Sequence, residues 1–283
     1  MNPDRAPRPG WLKVRAPSGK RVEEVAGTLA RLGLRTVCRE ARCPNVGECW
    51  GAGAATVILL GDVCTRGCAF CGVAAGTPAP PDPAEPKRVA TAAAELSWRH
   101  VVVTSVTRDD LPDGGAAHFA AVVRALRREA PGATIELLVP DFAGNVDALR
   151  CVVDAGPDIL AHNVETVPRL YPVVRKGAVF DRSLDLLRRA AAMRPSLLLK
   201  SGIMVGLGES EGEVVAVFRD LFASGCRSLT VGQYLPPSRA HLPVYEYVLP
   251  ERFDLFAEAA RGIGFDRVLS GPLVRSSYYP SRL

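Results

Sequence analysis

Six of the chain's eight cysteines fall into two tight triplets, Cys38-x4-Cys43-x5-Cys49 and Cys64-x3-Cys68-x2-Cys71. Three thiolates at such spacings suit a cubane iron–sulfur cluster and leave one iron without a protein thiolate, where chemistry beyond electron transfer can occur. Two incomplete clusters in one chain point to a catalyst. Structural zinc wants four closed ligands, usually as paired C-x2-4-C knuckles, and neither triplet offers a fourth Cys or His nearby. The nearest downstream histidine, His100, opens an apolar run. A disulfide framework belongs to small secreted domains, and the sequence shows no secretory n-region and h-region. Reduced thiols, a reducing compartment and hence a cytoplasmic location are expected.

These cysteines must be positioned by the rest of the chain. With 283 residues and 48% hydrophobic content, the chain can bury one large core, and no apolar run reaches the length of a membrane span. The net charge of +5 comes mostly from arginines spread along helical patterns, such as Arg124, Arg127, Arg128, Arg188 and Arg189. No compact basic stretch with interleaved aromatics appears, so nucleic acid is not expected and a mildly acidic protein partner suits the charge. The first twenty residues read as an extended arm. Val22, Val25, Leu29 and Leu32 recur at helical spacing, so the first triplet comes after a short helix. A proline-rich loop from Gly76 to Pro86 separates the cysteines from the remainder of the chain.

Beyond it the pattern alternates. Strand-like runs at 56–60, 100–105, 134–139, 159–163, 197–205 and 228–234 are separated by amphipathic helical patterns at 86–98, 116–129, 145–154, 182–193, 211–224 and 250–262. Near-continuously apolar strands joined through helices argue for parallel pairing with right-handed crossovers. The expected α/β fold is a partial (β/α)6 TIM-type barrel. Reactive groups then belong at the C-terminal ends of the strands, and Cys64, Cys68 and Cys71 come directly after the first one.

A C-x3-C-x2-C triplet in that place resembles the radical S-adenosylmethionine (SAM) superfamily. In that superfamily the triplet holds a 4Fe-4S cluster whose open iron chelates SAM, and reductive cleavage gives methionine and a 5'-deoxyadenosyl radical. Phe70 matches the family's aromatic beside the adenine. The segment Ser201-Gly202-Ile203-Met204-Val205-Gly206-Leu207-Gly208-Glu209 is similar to the family's adenine-supporting G-x-I-x-G-x-x-E, which implicates Gly206 and Glu209 in SAM binding. The same segment also reads as a strand-to-helix turn capped by Glu209 and Ser210. Ser105 ends the second strand where the superfamily often has Gly-Gly-Glu, implying a SAM amino contact. Asn163 and Glu165 end the fourth strand as candidate SAM partners, while His162 reads as a satisfied core histidine. An electron-transfer protein with two clusters would need neither the barrel nor the 201–209 segment.

The first triplet narrows the resemblance. Thr36-Val37-Cys38, Ala41-Arg42-Cys43-Pro44-Asn45, Glu48-Cys49-Trp50, Thr104-Ser105-Val106-Thr107-Arg108-Asp109-Asp110-Leu111, Gly232-Gln233-Tyr234-Leu235 and Arg275-Ser276-Ser277-Tyr278 closely resemble the lipoyl synthase family. The resemblance runs from about Trp11 to Tyr278. It implies sulfur insertion at C6 and C8 of a protein-bound octanoyl-lysine, two 4Fe-4S clusters and SAM as cofactors, and sulfur drawn from an auxiliary cluster on Cys38, Cys43 and Cys49. A C-terminal serine, Ser277 or alternatively Ser276, is implied as that cluster's remaining ligand. The implied partners are an octanoylated lipoyl carrier protein or domain, a ferredoxin- or flavodoxin-type electron donor and an iron–sulfur assembly protein, with neither nucleic acid nor membrane. The expected organisation is an N-terminal arm and auxiliary-cluster extension over 1–55, the radical SAM barrel over 56–250, and a C-terminal helix with the Arg-Ser-Ser-Tyr segment over 251–283, closing the site. Cys151 and Cys226 read as inert thiols. After Tyr278 the chain gives Tyr279-Pro280-Ser281-Arg282-Leu283 where the family commonly continues with His or Arg and then Ala.

Overall fold

Strands such as Val101-Val102-Val103 are buried on both faces, which is possible only where a parallel sheet is covered by helices outside and filled by side chains inside. The computed structural model, which describes residues 8–14 and 16–278, has this arrangement. The N-terminal part contributes α1 (Lys20–Arg31), β1 (Arg35–Thr36), α2 (Val37–Glu40) and α3 (Val46–Gly51). Next come β2 (Thr56–Leu59), the two-residue strands β3 (Val63–Cys64) and β4 (Ala74–Ala75), α4 (Glu85–Glu95), β5 (His100–Ser105), α5 (Ala116–Glu129) and β6 (Thr134–Leu138). The remainder is α6 (Val146–Asp154), β7 (Ile159–Ala161), α7 (Tyr171–Val174), α8 (Phe180–Met193), β8 (Leu198–Val205), α9 (Glu211–Ala223), β9 (Ser228–Gln233), α10 (Pro250–Ile263) and β10 (Arg267–Gly271).

The main sheet runs β1-β2-β5-β6-β7-β8-β9-β10. All neighbours in it pair in parallel except β1, which lies antiparallel on the β2 edge. The six expected strands and their helices are present, and the expected partial barrel gains a further parallel strand, β10, paired with β9 from Arg267↔Ser228 to Gly271↔Gly232. Its sequence, Arg-Val-Leu-Ser-Gly, carries no apolar run because the strand at this end of the sheet is only half covered. The Tyr279–Leu283 tail lies outside the described residues, as does the start of the expected N-terminal arm. No helix among the described residues is long and apolar enough to cross a membrane.

Helix positions arise from local chemistry. On α5, Phe119, Val122, Val123 and Leu126 recur at three- and four-residue steps and are fully buried, each contributing about 1.5–3 kcal/mol of transfer free energy. Helix α9 starts with a capping box in which the Ser210 hydroxyl accepts from the Glu213 N–H (3.3 Å) and the Glu213 carboxylate accepts from the Ser210 N–H (2.8 Å). Helix α10 begins on Pro250 and stops at Gly264, whose φ of +121° excludes most other residues.

Strand alternation puts His100 with Thr104, Glu136 with Leu138, and Lys200 with Gly202 on the inward faces of β5, β6 and β8. Near the N-terminal ends of the strands the interior is filled by a buried ion cluster. Lys200 Nζ donates to Glu136 Oε1 at 2.8 Å, and His100 Nε2 stands 3.0 Å from Glu136 Oε2. Burial alone would raise the Glu136 carboxyl, but Lys200 and His100 outweigh it and hold the group below the ordinary carboxylate range. Lys200→Met, which strands a buried carboxylate, is expected to destabilise the protein by about 3–5 kcal/mol, whereas Lys200→Met/Glu136→Leu recovers most of the loss. Urea unfolding monitored by far-ultraviolet circular dichroism reads both.

Candidate active site

The first triplet is wound around two short helices. Cys38 lies in α2, whose N-cap Thr36 accepts from the Arg39 N–H at 3.3 Å. The Cys43 N–H donates to the Cys38 carbonyl at 3.0 Å and the Cys49 N–H to the Asn45 carbonyl at 2.8 Å. Arg42, at φ +47°, turns the chain back between the first two cysteines. Cys38, Cys43 and Cys49 thereby line one small niche, and residues from the far end of the described chain, Arg275, Ser277 and Tyr278, form its other side. Asn45 Nδ2 donates to the Leu273 carbonyl at 2.7 Å, and the Tyr278 hydroxyl to Glu48 at 2.7 Å, so that the C-terminal segment is tied to both short helices' surroundings. The two serines differ in surroundings. Ser277 lines the niche and the main cavity, whereas Ser276 lines only the cavity and its hydroxyl accepts from Asn163 Nδ2 at 3.1 Å.

The second triplet sits in the loop bracketed by the β3–β4 ladder. Cys64 Sγ accepts from the backbone N–H groups of Arg66 (3.4 Å) and Thr107 (3.3 Å), and the Cys71 N–H donates to the Cys68 carbonyl at 3.1 Å. Arg66, between the first two cysteines, reaches out of the loop to hold Asp109 through two hydrogen bonds (2.6 and 2.8 Å) and Asp141 through a third (2.7 Å). Arg182 approaches the other oxygen of Asp141 at 3.2 Å. Burial opposes ionisation of Asp141, yet the Arg66 guanidinium prevails and brings the carboxyl down to about 2. The cysteine loop is thus clamped to the ends of β5 and β6.

Both triplets face one cavity of about 580 Å³ at the C-terminal ends of the strands; Cys38, Cys43, Cys64, Cys68 and Cys71 all line it. Of the residues expected around SAM, Phe70, Ser105, Asn163 and Glu165 are in its wall. Gly206 and Glu209 are not. The Glu209 carboxylate accepts from the backbone N–H groups of Gly206 and, at 2.9 Å, Leu207, so it caps the turn after β8. A Cβ on Gly206 would stand 2.2 Å from Gln233 Nε2 and 2.5 Å from the Glu246 carbonyl, so loop packing requires this glycine. The glycines in the cavity wall are Gly72, in the cysteine loop, and Gly202 and Gly232 on the strands. A Cβ on Gly202 would meet Thr230 Oγ1 at 2.6 Å and Asn163 Oδ1 at 3.0 Å.

The polar groups of the wall are unequal. His162 is fully buried, with Nδ1 2.8 Å from the Val139 carbonyl and Nε2 2.9 Å from Ser183 Oγ; burial, with Arg175 nearby, takes it down to about 4, so it is a neutral core histidine. Ser105 Oγ and Asn163 Oδ1 are buried without a hydrogen-bond partner. Glu165 has φ +67°, a strained conformation for a residue with a Cβ, and burial raises its carboxyl. Arg175, which no sequence motif singles out, enters the cavity beside Cys68 and Glu165. It donates to the Tyr171 hydroxyl and Ser183 Oγ, both at 3.0 Å, and no carboxylate lies within ion-pair distance of it among the described residues.

Three thiols per triplet suit a cubane cluster that keeps one iron open. None of the cysteines is in a disulfide. Burial raises the Cys43 and Cys71 thiols and takes Cys68 up to about 11, so without a bound cation these groups are neutral thiols. Cys226 is fully buried away from the site and pushed up to about 12, and Cys151 is half-buried, in keeping with inert roles.

The Radical SAM superfamily matches residues 58–221, which is the barrel from β2 to α9. A structure of Streptococcus suis SuiB bound to the precursor peptide SuiA shares the fold, with a TM-score of 0.61 and 12% identity over 88% of this chain and 52% of that one. Fold, cavity and the Cys64 triplet define a radical SAM enzyme. Lipoyl synthases of Rubrobacter xylanophilus and Methylococcus capsulatus are 54% and 55% identical to this protein, each over 96% of this chain and 85% of the relative. The chain belongs to the lipoyl synthase family, with 4Fe-4S clusters and SAM as cofactors.

Removing the carboxylate that Arg66 and Arg182 share tests the clamp. Asp141→Asn is expected to cost about 2–3 kcal/mol at neutral pH. Because the folded carboxyl is depressed from 3.8 to about 2, its contribution is complete above the unfolded value and fades as pH falls toward 2. Urea midpoints should therefore differ most between wild type and variant above pH 5 and converge below pH 3.

Proposed function

We propose that the protein inserts sulfur at C6 and C8 of an octanoyl chain held as an amide on a lysine of a carrier protein, giving the lipoyl group, with the sulfur drawn from the cluster of the first triplet. The observation that carries this reading is the single cavity onto which both cysteine triplets open, since a chain carbon must reach a hydrogen-abstracting group and a sulfide source without leaving the site. When bound, the reduced cluster on Cys64, Cys68 and Cys71 with SAM supplies hydrogen-atom abstraction from unactivated C–H bonds, and the cluster on Cys38, Cys43 and Cys49 supplies sulfide.

The chain's own groups have distinct tasks in this reading. Arg175, a cation in the cavity wall near Glu165 with no ion pair of its own among the described residues, receives the SAM carboxylate. Asn163 Oδ1 and Ser105 Oγ are both buried and unpaired; the amide oxygen accepts from the SAM amino or ribose groups, and the serine hydroxyl accepts from or donates to them. Phe70 packs by the adenine. Gly206 and Glu209 act one step removed, holding the turn after β8, while Glu165 keeps its carboxyl at the cavity wall. Val106, Leu138, Ile203 and Met204 line the space for the alkyl chain and exclude water from it. Ser277 closes the niche as a hard oxygen ligand on the iron left by three thiolates, suited to a cluster that must give up an iron. Residues 1–55 and 251–283 then build the sulfide-donating side and residues 56–250 the SAM side. An octanoylated lipoyl domain, a ferredoxin- or flavodoxin-type donor and an iron–sulfur assembly protein are the corresponding partners.

Anaerobic incubation of an octanoylated carrier peptide with the protein, SAM and reductant should give a product with two added sulfurs by mass spectrometry; failure to modify the peptide overturns the reading. Alanine at Cys64, Cys68 and Cys71 should abolish 5'-deoxyadenosine formation. Alanine at Cys38, Cys43 and Cys49 should spare it and stop sulfur insertion, and equal loss in both would refute the division. Ser277→Ala should assemble both clusters yet give no doubly thiolated product, whereas Ser276→Ala should retain sulfur insertion.

A further inference from the structure

We propose that Gly232 on β9 is a positioning residue: it seats the C-terminal segment 274–278 and thereby sets where Ser277 stands at the niche. The inference rests on the reading of Ser277 as the oxygen ligand of the first-triplet cluster. An ideal Cβ on Gly232 would lie 2.1 Å from the Val274 carbonyl oxygen, 3.0 Å from its carbon and 3.3 Å from Arg275 Nη1. The first two are backbone atoms and cannot rotate aside as a side-chain tip can. Nor can the strand retreat, because Gly232 is held in register by Met204 of β8 on one side and Gly271 of β10 on the other. Its φ is not in the left-handed region, so alanine suits the backbone there and the requirement for glycine is the close approach alone.

The segment seated on Gly232 is short and turned at both ends. The Val274 N–H donates to the Gly271 carbonyl at 3.0 Å, and the Tyr278 N–H to the Arg275 carbonyl at 3.0 Å. Val274 is buried, and Arg275 lines both the main cavity and the niche. Further fastenings include side-chain hydrogen bonds from Asn45, Asn163 and Tyr278, each worth about 0.5–1.5 kcal/mol. A Cβ inserted under the Val274 carbonyl must displace the whole turn, and Ser277 three residues on moves with it.

The test is Mössbauer spectroscopy of the 57Fe-reconstituted holoenzyme, which reads the distinct iron that an oxygen ligand creates in a cluster otherwise held by sulfur. Ser277→Ala defines the signal lost when the serine is absent, and Gly262→Ala, at a glycine with nothing within 4 Å, is the control. Gly232→Ala should lose the same iron component as Ser277→Ala, and Gly262→Ala should keep it. If Ser277→Ala leaves the spectrum unchanged, the ligand reading itself fails. If Ser277→Ala changes it and Gly232→Ala does not, the seating role is overturned. Should Gly232→Ala fail to assemble, Asn45→Ala/Tyr278→Phe decides: retention of the wild-type component supports Gly232 as the seat, and its loss assigns the positioning to the hydrogen bonds instead.

Discussion

The Arg66 guanidinium carries more of the architecture than any other single group. Three of its hydrogen bonds go to two carboxylates from different strand ends, Asp109 after β5 and Asp141 after β6, and the Asp141 side chain is fully shielded from solvent. A loop of cysteines has little apolar surface with which to hold itself in place. A charge-assisted fork of this kind gives it a fixed orientation relative to the barrel, since the planar guanidinium meets each carboxylate in one geometry only. Removing either partner leaves a buried charge, so the loop and the strand ends are stable together or not at all.

That anchor sets the direction in which the site is built. The loop opens toward the inward faces of β5, β7, β8 and β9, where small or polar residues leave the interior open. Gly202, Thr230 and Gly232 hollow out the cavity, and Lys200, Glu136 and His100 close it below with an ion cluster that is neutralised internally. On the open side, the N-terminal extension and the segment after β10 converge on the first triplet. The two sites are therefore built by different means: one by a loop pinned to a sheet, the other by two chain segments pinned to each other.

Much of this is legible in the sequence. The strands are near-continuous apolar runs and the helices keep a 3.6-residue period, so type and order can be read directly. β10 is not legible in the same way, because Arg267-Val268-Leu269-Ser270-Gly271 lies at a half-covered end of the sheet and carries no such run. The triplets are visible because cysteine spacing is a strong local signal. Motif similarity singles out Gly206 and Glu209, which hold the turn after β8, but not Gly202 and Gly232, the strand glycines that line the cavity; a glycine's neighbours across strands leave no mark in the linear order. Arg66 and Arg175 escape notice for the same reason, although an arginine between two cysteines of one triplet is a usable signal. Ser276 and Ser277 cannot be told apart by pattern, since adjacent residues in a turn point to opposite sides.

The ties between Asn45 and Leu273 and between Glu48 and Tyr278 span 228 and 230 residues. During synthesis the residues that carry Cys38, Cys43 and Cys49 leave the ribosome long before Leu273 and Ser277 exist. The niche is consequently a late structure: its walls meet only after the barrel between them has been translated and folded. Until β10 and the segment after it have been made, Cys38, Cys43 and Cys49 have no wall opposite them, and the pocket that shelters the three thiols does not yet exist.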